Sequence, residues 1–159
     1  MEWFHKVPMS RRRGFTLVEM MLVMVIVGIV MAIALPAVQS YIERGRRAQA
    51  LTDLQEMSDK IRKSEKSTGA LPDTLNALAL DTRLDPWGHP YAYFNIRTNT
   101  GNGVKRKDKK LAPLNSDFDL YSKGPDGITA PQLNNSASRD DLIRARDGGF
   151  IGTAEEFDP

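Results

Sequence analysis

Residues 14–38 read GFTLVEMMLVMVIVGIVMAIALPAV, and this stretch decides the fold of the chain. The part from Met20 to Val38 contains no charged side chain. A helix over that part is roughly 28 Å long, close to the ~30 Å thickness of the hydrocarbon layer of a membrane. A core helix of a soluble protein usually has polar residues on one face, and this run has none. The sequence therefore predicts a membrane-inserting helix.

An acidic residue lies at the start of the apolar run, and basic residues precede it. The basic residues are Lys6, Arg11, Arg12 and Arg13. A secretory signal peptide has a similar basic start, and Ala32-Ile33-Ala34 mimics its cleavage site. Cleavage after Ala34 would release a secreted binding protein or hydrolase. Glu19 argues against that alternative, because a carboxylate at membrane depth costs about 2.5–3.5 kcal/mol and therefore requires a partner. The apolar run offers no cation, so the expected partner is another molecule or the chain's own amino terminus.

The composition of the 159 residues excludes several kinds of site. Cys is absent, which excludes a disulfide scaffold, a thiolate metal site and a Cys nucleophile. The only histidines are His5 and His89, which are too few for a multi-histidine zinc site. The net charge of +2 comes from 22 basic and 20 acidic residues, a balance that argues against a histone-like nucleic-acid binder. No catalytic triad or phosphate-binding glycine loop is recognisable.

The hexapeptide Gly14-Phe15-Thr16-Leu17-Val18-Glu19 resembles the type III signal of type IV pilins and type II secretion pseudopilins. The resemblance implies that a membrane aspartyl peptidase cuts between Gly14 and Phe15 and methylates the new amino group of Phe15. It also implies that Glu19 pairs with the terminal amine of a neighbouring subunit, which removes much of the cost of burying its charge. The implied segments are a leader over 1–14, an assembly helix over 15–42 and a globular domain over 43–159.

A second helical pattern follows the apolar run. Apolar residues recur every three or four positions at Ala48, Leu51, Leu54, Met57 and Ile61. We therefore expect one helix from Phe15 to about Ser67, with Gly69 as its C-cap. Gly28 and Pro36 weaken this helix. They are compatible with a simple kink in a membrane helix, and the resemblance adds that residues 28–36 can extend when subunits assemble.

The remaining chain predicts a small sheet. Residues 71–78 indicate a turn and a short helix capped by Asp73 or Thr74. Residues 85–90 form a turn cluster, and residues 91–96 and 117–122 are typical of strands. The expected fold class is α+β, with a long N-terminal transmembrane and amphipathic helix packed on a small antiparallel β-sheet and a C-terminal loop region.

Three segments of this half are similar to the major pseudopilin of type II secretion: DPWG at 85–88, DLYS at 119–122 and GPDG at 124–127. Type IV pilins usually close a C-terminal loop with a disulfide, and a chain without Cys cannot do so. The resemblance implies calcium instead, which prefers oxygen ligands. The implied ligands are the carbonyls of Lys123 and Ile128 and the carboxylates of Asp126 and of Asp140 or Asp141. The alternative is that Asp126 is a turn residue and that Asp140-Asp141 caps a helix over residues 142–145.

A long loop over residues 98–113 departs from the family pattern. Its basic residues are Lys105, Arg106, Lys107, Lys109 and Lys110. They indicate either a patch for DNA or acidic partners or a solvated loop tip. No aromatic residues are interleaved with them, which favours the solvated tip and argues against nucleic acid as a partner.

The sequence thus predicts a non-enzymatic structural subunit. The resemblance implies a single pass through the bacterial inner membrane, with the C-terminal domain in the periplasm. The implied assembly is a homopolymer, the pseudopilus, which drives protein export across the outer membrane. The implied partners are the prepilin peptidase and methyltransferase, minor pseudopilins, the inner-membrane assembly platform with its ATPase, and membrane lipid before assembly. The alternative is a type IV or competence pilin that acts in motility, adhesion or DNA uptake.

Overall fold

The computed structural model describes residues 14–99, 101, 105–109 and 112–157. Two α-helices are present among them, α1 over Leu17–Thr68 and α2 over Ala154–Phe157. The strands are β1 Ala92–Asn95, β2 Phe118–Ser122, β3 Leu142–Ala145 and β4 Phe150–Thr153. Short 3₁₀ helices cover Leu75–Leu78, Ser136–Ser138 and Arg146–Gly148. The chain divides into two compact units, one that ends at Tyr41 and one that begins at Ile42.

The four strands form one antiparallel sheet in the order β1-β2-β3-β4. Tyr93 lies opposite Leu120 in the first pair of strands, and Ile143 lies opposite both Tyr121 and Gly152 in the following two pairs. With the long helix α1, this sheet confirms the expected α+β class. The strands expected at 91–96 and 117–122 are confirmed as β1 and β2.

The carboxyl-terminal half of α1 packs on the sheet through an apolar stripe, which confirms Leu54, Met57 and Ile61 as buried residues. Ala48 is exposed, contrary to expectation, and Ala50 is the buried alanine. Ala50, Leu54, Met57 and Ile61 are fully buried in a cluster with Phe118, Leu120 and Leu142. Alternate residues of a strand point to opposite faces, and Ile143 and Ala145 accordingly belong to a second cluster with Leu114, Leu133 and Ala154. The sheet therefore has an apolar core on each face.

The end of α1 confirms the predicted C-cap. The helix ends at Thr68, and Gly69 has a φ of 80°. The Gly69 N–H donates to the carbonyl oxygen of Glu65 at 2.8 Å. The short helix expected after it is confirmed at Leu75–Leu78, although the Thr74 side chain makes no capping hydrogen bond. Residues 28–36, including Pro36, are helical within α1. The extension of these residues on assembly therefore stays a prediction.

The helix at residues 142–145, which belonged to the alternative to the calcium site, is wrong because these residues form β3. All four are buried, and β3 pairs with β2 on one side and β4 on the other. Strand β4 was missed entirely. Arg144 hides the strand pattern, because a charged residue in a sequence normally indicates a solvated position, whereas Arg144 is 1% exposed.

A buried ion pair explains how Arg144 is accommodated. Its Nη1 and Nη2 donate to the two carboxylate oxygens of Asp117 at 2.8 and 2.7 Å. Its Nε donates to Ser58 Oγ on α1 at 3.0 Å, and its guanidinium lies 3.9 Å from the ring centroid of Phe118. Burial would raise the pKa of Asp117, but the hydrogen bonds from Arg144 and the Phe118 N–H outweigh it and hold that pKa below its ordinary value. The pair therefore links α1, β2 and β3.

We expect Arg144→Leu to destabilise the second unit by about 3 kcal/mol, because the buried Asp117 carboxylate loses both hydrogen bonds from Arg144 and keeps only the longer contact with Arg62 Nη2 at 3.7 Å. Urea unfolding of the detergent-solubilised chain, followed by tryptophan fluorescence, measures this change. The matched control is Arg97→Leu, which removes a more exposed ion pair with Glu65 and should cost less than about 1 kcal/mol. Equal losses in the two variants would contradict a structural role for the buried pair.

Candidate functional site

The amino-terminal site surrounds the first turn of α1. Glu19 lies in that turn, two residues after the helix begins at Leu17. The Oγ1 of Thr16 accepts a hydrogen bond from the Glu19 N–H at 3.2 Å, and the Thr16 carbonyl accepts one from the Met20 N–H at 3.2 Å. Thr16 is therefore the N-cap of α1, a role that the sequence analysis missed although Thr is a preferred N-cap residue.

Phe15 and Glu19 are exposed on this first turn. The Phe15 side chain is 75% exposed, and Gly14, Phe15, Thr16 and Glu19 line one shallow concavity. Across the described part of the chain, no basic group forms an ion pair with Glu19. The backbone of Glu19 is therefore fixed by the helix cap, and its carboxylate is accessible to a cation from another molecule.

An uninterrupted apolar surface follows Glu19. Every large apolar side chain from Met20 to Ile42 is exposed, with values from 44% at Met20 to 78% at Tyr41. By length and composition α1 is suited to cross a membrane, and the most apolar part of it is entirely unburied. An exposed apolar surface of this extent marks a contact with lipid or with another protein.

The predicted calcium ligands lie on the loop after β2. Gly124 and Gly127 have φ values of 67° and 69°. The Ile128 N–H donates to Asp126 Oδ1 at 2.8 Å, and the Asp126 N–H lies 3.4 Å from Asp140 Oδ2. A Cβ added to Gly124 would lie 2.5 Å from the Asp140 carbonyl oxygen and 2.8 Å from its Oδ2. The fold thus brings the Asp126 backbone close to Asp140, and the missing side chain of Gly124 leaves room for the Asp140 oxygens.

Asp141 has different partners. Its Oδ2 accepts hydrogen bonds from Arg106 Nη2 at 2.5 Å and from Thr129 Oγ1 at 2.6 Å. Burial raises the pKa of Asp141 to about 6, although the positive charge of Arg106 opposes this. Of the two acids that the sequence left open, Asp140 is the one beside Asp126. The contact between these two residues runs from the Asp126 backbone N–H to the Asp140 carboxylate. Within the described residues, no group of three acidic or His side chains could hold a metal.

The basic residues of the loop over 98–113 have different environments in the fold. The expectation of a solvated cluster is wrong for Arg106, which is 2% exposed. Its N–H donates to Asp119 Oδ2 at 2.8 Å, and its guanidinium lies 4.2 Å from the Tyr121 ring centroid. The Lys107 N–H donates to the Pro131 carbonyl at 2.9 Å, which holds the loop in place. Lys105 and Lys107 are half-buried, and Lys110 lies outside the described residues.

Comparison with known proteins shows which proteins the chain is similar to. Residues 9–35 match the prokaryotic N-terminal methylation motif. The chain is 29% identical over 143 residues to the type II secretion system core protein G of Pseudomonas aeruginosa, covering 75% of this chain and 89% of the relative. It is 27% identical over 140 residues to the core protein G of Klebsiella pneumoniae, covering 79% and 92%. It is 25% identical over 148 residues to a fimbrial protein of Neisseria meningitidis, covering 90% and 85%. No solved structure matches significantly.

The capped Glu19 turn, the exposed apolar helix and the α+β unit are thus found in a chain with a prepilin methylation motif. The relatives that align along most of the chain are type II secretion core proteins G and a fimbrial protein, so the chain is similar to pilin-like proteins. Among these relatives, it resembles core proteins G of type II secretion along most of its length, as the sequence analysis expected.

We expect Arg106→Leu to lower the melting temperature by about 10 °C or more, because it leaves the Asp141 carboxylate buried without its cation. Lys105→Leu is the matched control, since Lys105 is adjacent in the chain but half-buried and should change the melting temperature by only a few degrees. Circular dichroism during heating of the detergent-solubilised chain gives both values. A melting temperature unchanged by Arg106→Leu would show that the buried pair contributes nothing to stability.

Proposed function

We propose that the chain is a non-enzymatic structural subunit of the type II secretion pseudopilus. The observation that carries this proposal is the exposed apolar surface of α1, which begins one residue after Glu19, a carboxylate with no ion pair among the described residues. Two relatives that align along most of both chains are named core proteins of that system. A surface of this kind must be covered by lipid or by other subunits. In a polymer, the helices of neighbouring subunits cover it.

Maturation supplies the cation for Glu19. A prepilin peptidase cuts between Gly14 and Phe15 and methylates the new amino group of Phe15. The exposed, non-helical position of this bond, ahead of the start of α1 at Leu17, suits a peptidase that must reach an extended backbone. Cleavage separates a leader over 1–14 from a mature chain, which consists of an assembly helix over 15–42 and a periplasmic domain over 43–159.

Assembly transfers α1 from lipid to the filament. Before assembly, the apolar helix crosses the inner membrane once, with lipid around it and the C-terminal domain in the periplasm. In the homopolymer, apolar burial between helices replaces lipid contact, and Glu19 pairs with the amino group of Phe15 on a neighbouring subunit. The assembly platform and its ATPase supply the energy, minor pseudopilins join the filament, and the filament drives folded proteins across the outer membrane.

We expect Glu19→Ala to leave processing intact and to reduce filament formation at least about tenfold, because loss of one ion pair is repeated at every subunit contact. Intact mass of the purified chain reports cleavage and methylation at Phe15, and the sheared filament fraction reports assembly. The control is Asp59→Ala, which removes an exposed carboxylate that only accepts from Gln55. Normal filaments from Glu19→Ala, or a mature chain that begins at Leu35, would contradict the proposal.

A type IV or competence pilin is the second candidate. The fimbrial protein of Neisseria meningitidis favours it, because that relative aligns over 90% of this chain. The Glu19→Ala strain separates the two functions, since a pseudopilin variant loses export of folded proteins, whereas a pilin variant loses motility, adhesion or DNA uptake. The absence of Cys favours the pseudopilin, because it leaves no disulfide to close the C-terminal loop.

We further propose that calcium binds the loop of residues 123–128. Asp126 and Asp140 would supply carboxylate ligands, and Lys123 and Ile128 would supply backbone carbonyls. Asp141 would support the site indirectly, because its carboxylate is engaged by Arg106. Bound calcium would hold the loop where type IV pilins usually use a disulfide.

We expect calcium to raise the melting temperature of the full chain relative to chelator, with a larger effect at higher free calcium because the cation binds only the folded loop. Asp126→Asn and Asp140→Asn should each remove most of this increase. Asp81→Asn, an exposed acid on another loop, is the control and should keep the full increase. A melting temperature that is the same in calcium and in chelator would contradict the calcium site.

A further inference from the structure

The turn of residues 85–90 contacts residues 123–128, the loop proposed above to bind calcium and called the calcium loop below, through His89. The Nδ1 of His89 lies 3.1 Å from the Gly124 carbonyl oxygen. A carbonyl oxygen only accepts hydrogen bonds, so Nδ1 carries the proton and donates. A Cβ added to Gly127 would lie 2.7 Å from His89 Nε2, so the imidazole ring occupies the space beside this glycine. One side chain therefore fixes two points of the loop.

Asp85 holds the same loop from its other end. Its carboxylate is buried, and Oδ2 accepts a hydrogen bond from Ser122 Oγ at 2.5 Å. The Ser122 hydroxyl in turn accepts from the Gly124 N–H at 3.1 Å. Both polar groups of the Gly124 backbone are thus held by the turn, the N–H through Ser122 and the carbonyl by His89.

The turn itself is fixed in two directions. Asp85 Oδ1 accepts from the N–H groups of Trp87 and His89 at 3.1 and 2.8 Å, which closes the turn on itself. The Trp87 indole Nε1 donates to Glu43 Oε1 on α1 at 3.1 Å. A turn with internal hydrogen bonds and an anchor on a helix is a rigid support for a loop rich in glycine.

We propose that residues 85–90 are a clamp that preorganises the calcium loop, with His89 as the positioning residue. This proposal depends on the calcium site proposed above, and it assigns no calcium ligand to residues 85–90. A loop with two glycines at positive φ has many conformations in the absence of contacts. Because the clamp restricts these conformations before the cation arrives, it lowers the entropy that binding must remove.

Hydrogen exchange of the full-length chain in detergent and chelator tests the clamp without calcium. We expect His89→Leu to accelerate exchange of the amides of residues 123–128 about fivefold or more, with β3 and β4 unchanged. His89→Asn should restore slow exchange, because the amide Nδ2 can donate to the Gly124 carbonyl. Wild-type exchange in His89→Leu would overturn the clamp, and so would faster exchange throughout the sheet, which would show a general structural role.

Isothermal titration with calcium chloride tests the consequence for affinity. We expect the Kd of His89→Leu to rise about fivefold or more and that of His89→Asn to stay near the wild-type value. Wild-type affinity in His89→Leu would overturn preorganisation. A wild-type chain that does not bind calcium would contradict the calcium site alone, and the exchange measurement would then decide whether residues 85–90 hold the loop.

Discussion

An apolar helical surface that is exposed from its first turn is the constraint on which the rest of this molecule depends. The described residues bury none of the large apolar side chains between Met20 and Ile42. Such a surface is stable in lipid or against other helices, and not in water. A carboxylate at its edge adds a second requirement, because Glu19 can enter an apolar environment only with a cation. Together these two requirements suit the proposed function, in which the helix is first inserted in a membrane and is then packed in a polymer.

Buried ion pairs and hydrogen bonds give the second unit its specific structure without any disulfide. The pair of Arg144 with Asp117 lies on one face of the sheet, and the pair of Arg106 with Asp141 lies near the other. On α1, Asp53 accepts from the Tyr91 hydroxyl at 2.9 Å. Such pairs are costly to bury and costlier to break, so each excludes arrangements in which its partner is absent.

The parts that the sequence predicted are those with a strong local pattern. The stripe at Ala48–Ile61 has the helical period, and strands β1 and β2 contain aromatic and alternating residues. The Gly14–Glu19 motif identified the amino-terminal site for the same reason, since all of its residues are adjacent in the chain.

The errors share one physical cause, which is that a charge is interpreted as solvated until its partner is known. Arg106 looked like part of a basic tip because its partner Asp141 is 35 positions away. Arg144 concealed β3 in the same way, since Asp117 lies 27 positions before it. The choice between Asp140 and Asp141 also depended on Arg106, which engages the second acid and leaves the first beside Asp126. Only the fold could supply these pairings.

The proposed clamp connects the proposed calcium loop to Glu43 on α1, at the beginning of the second unit. His89 and Asp85 hold the loop, and Trp87 in the same turn donates to Glu43, which follows Ile42 directly on α1. Energetic coupling between two sites is reciprocal, so if the proposed cation stabilises the loop through the clamp, it would also stabilise the turn that contacts Glu43. The order of the loop over residues 123–128 would thereby be linked to Glu43 on α1. In a filament built from α1, calcium would then act on the same helix that the subunits share.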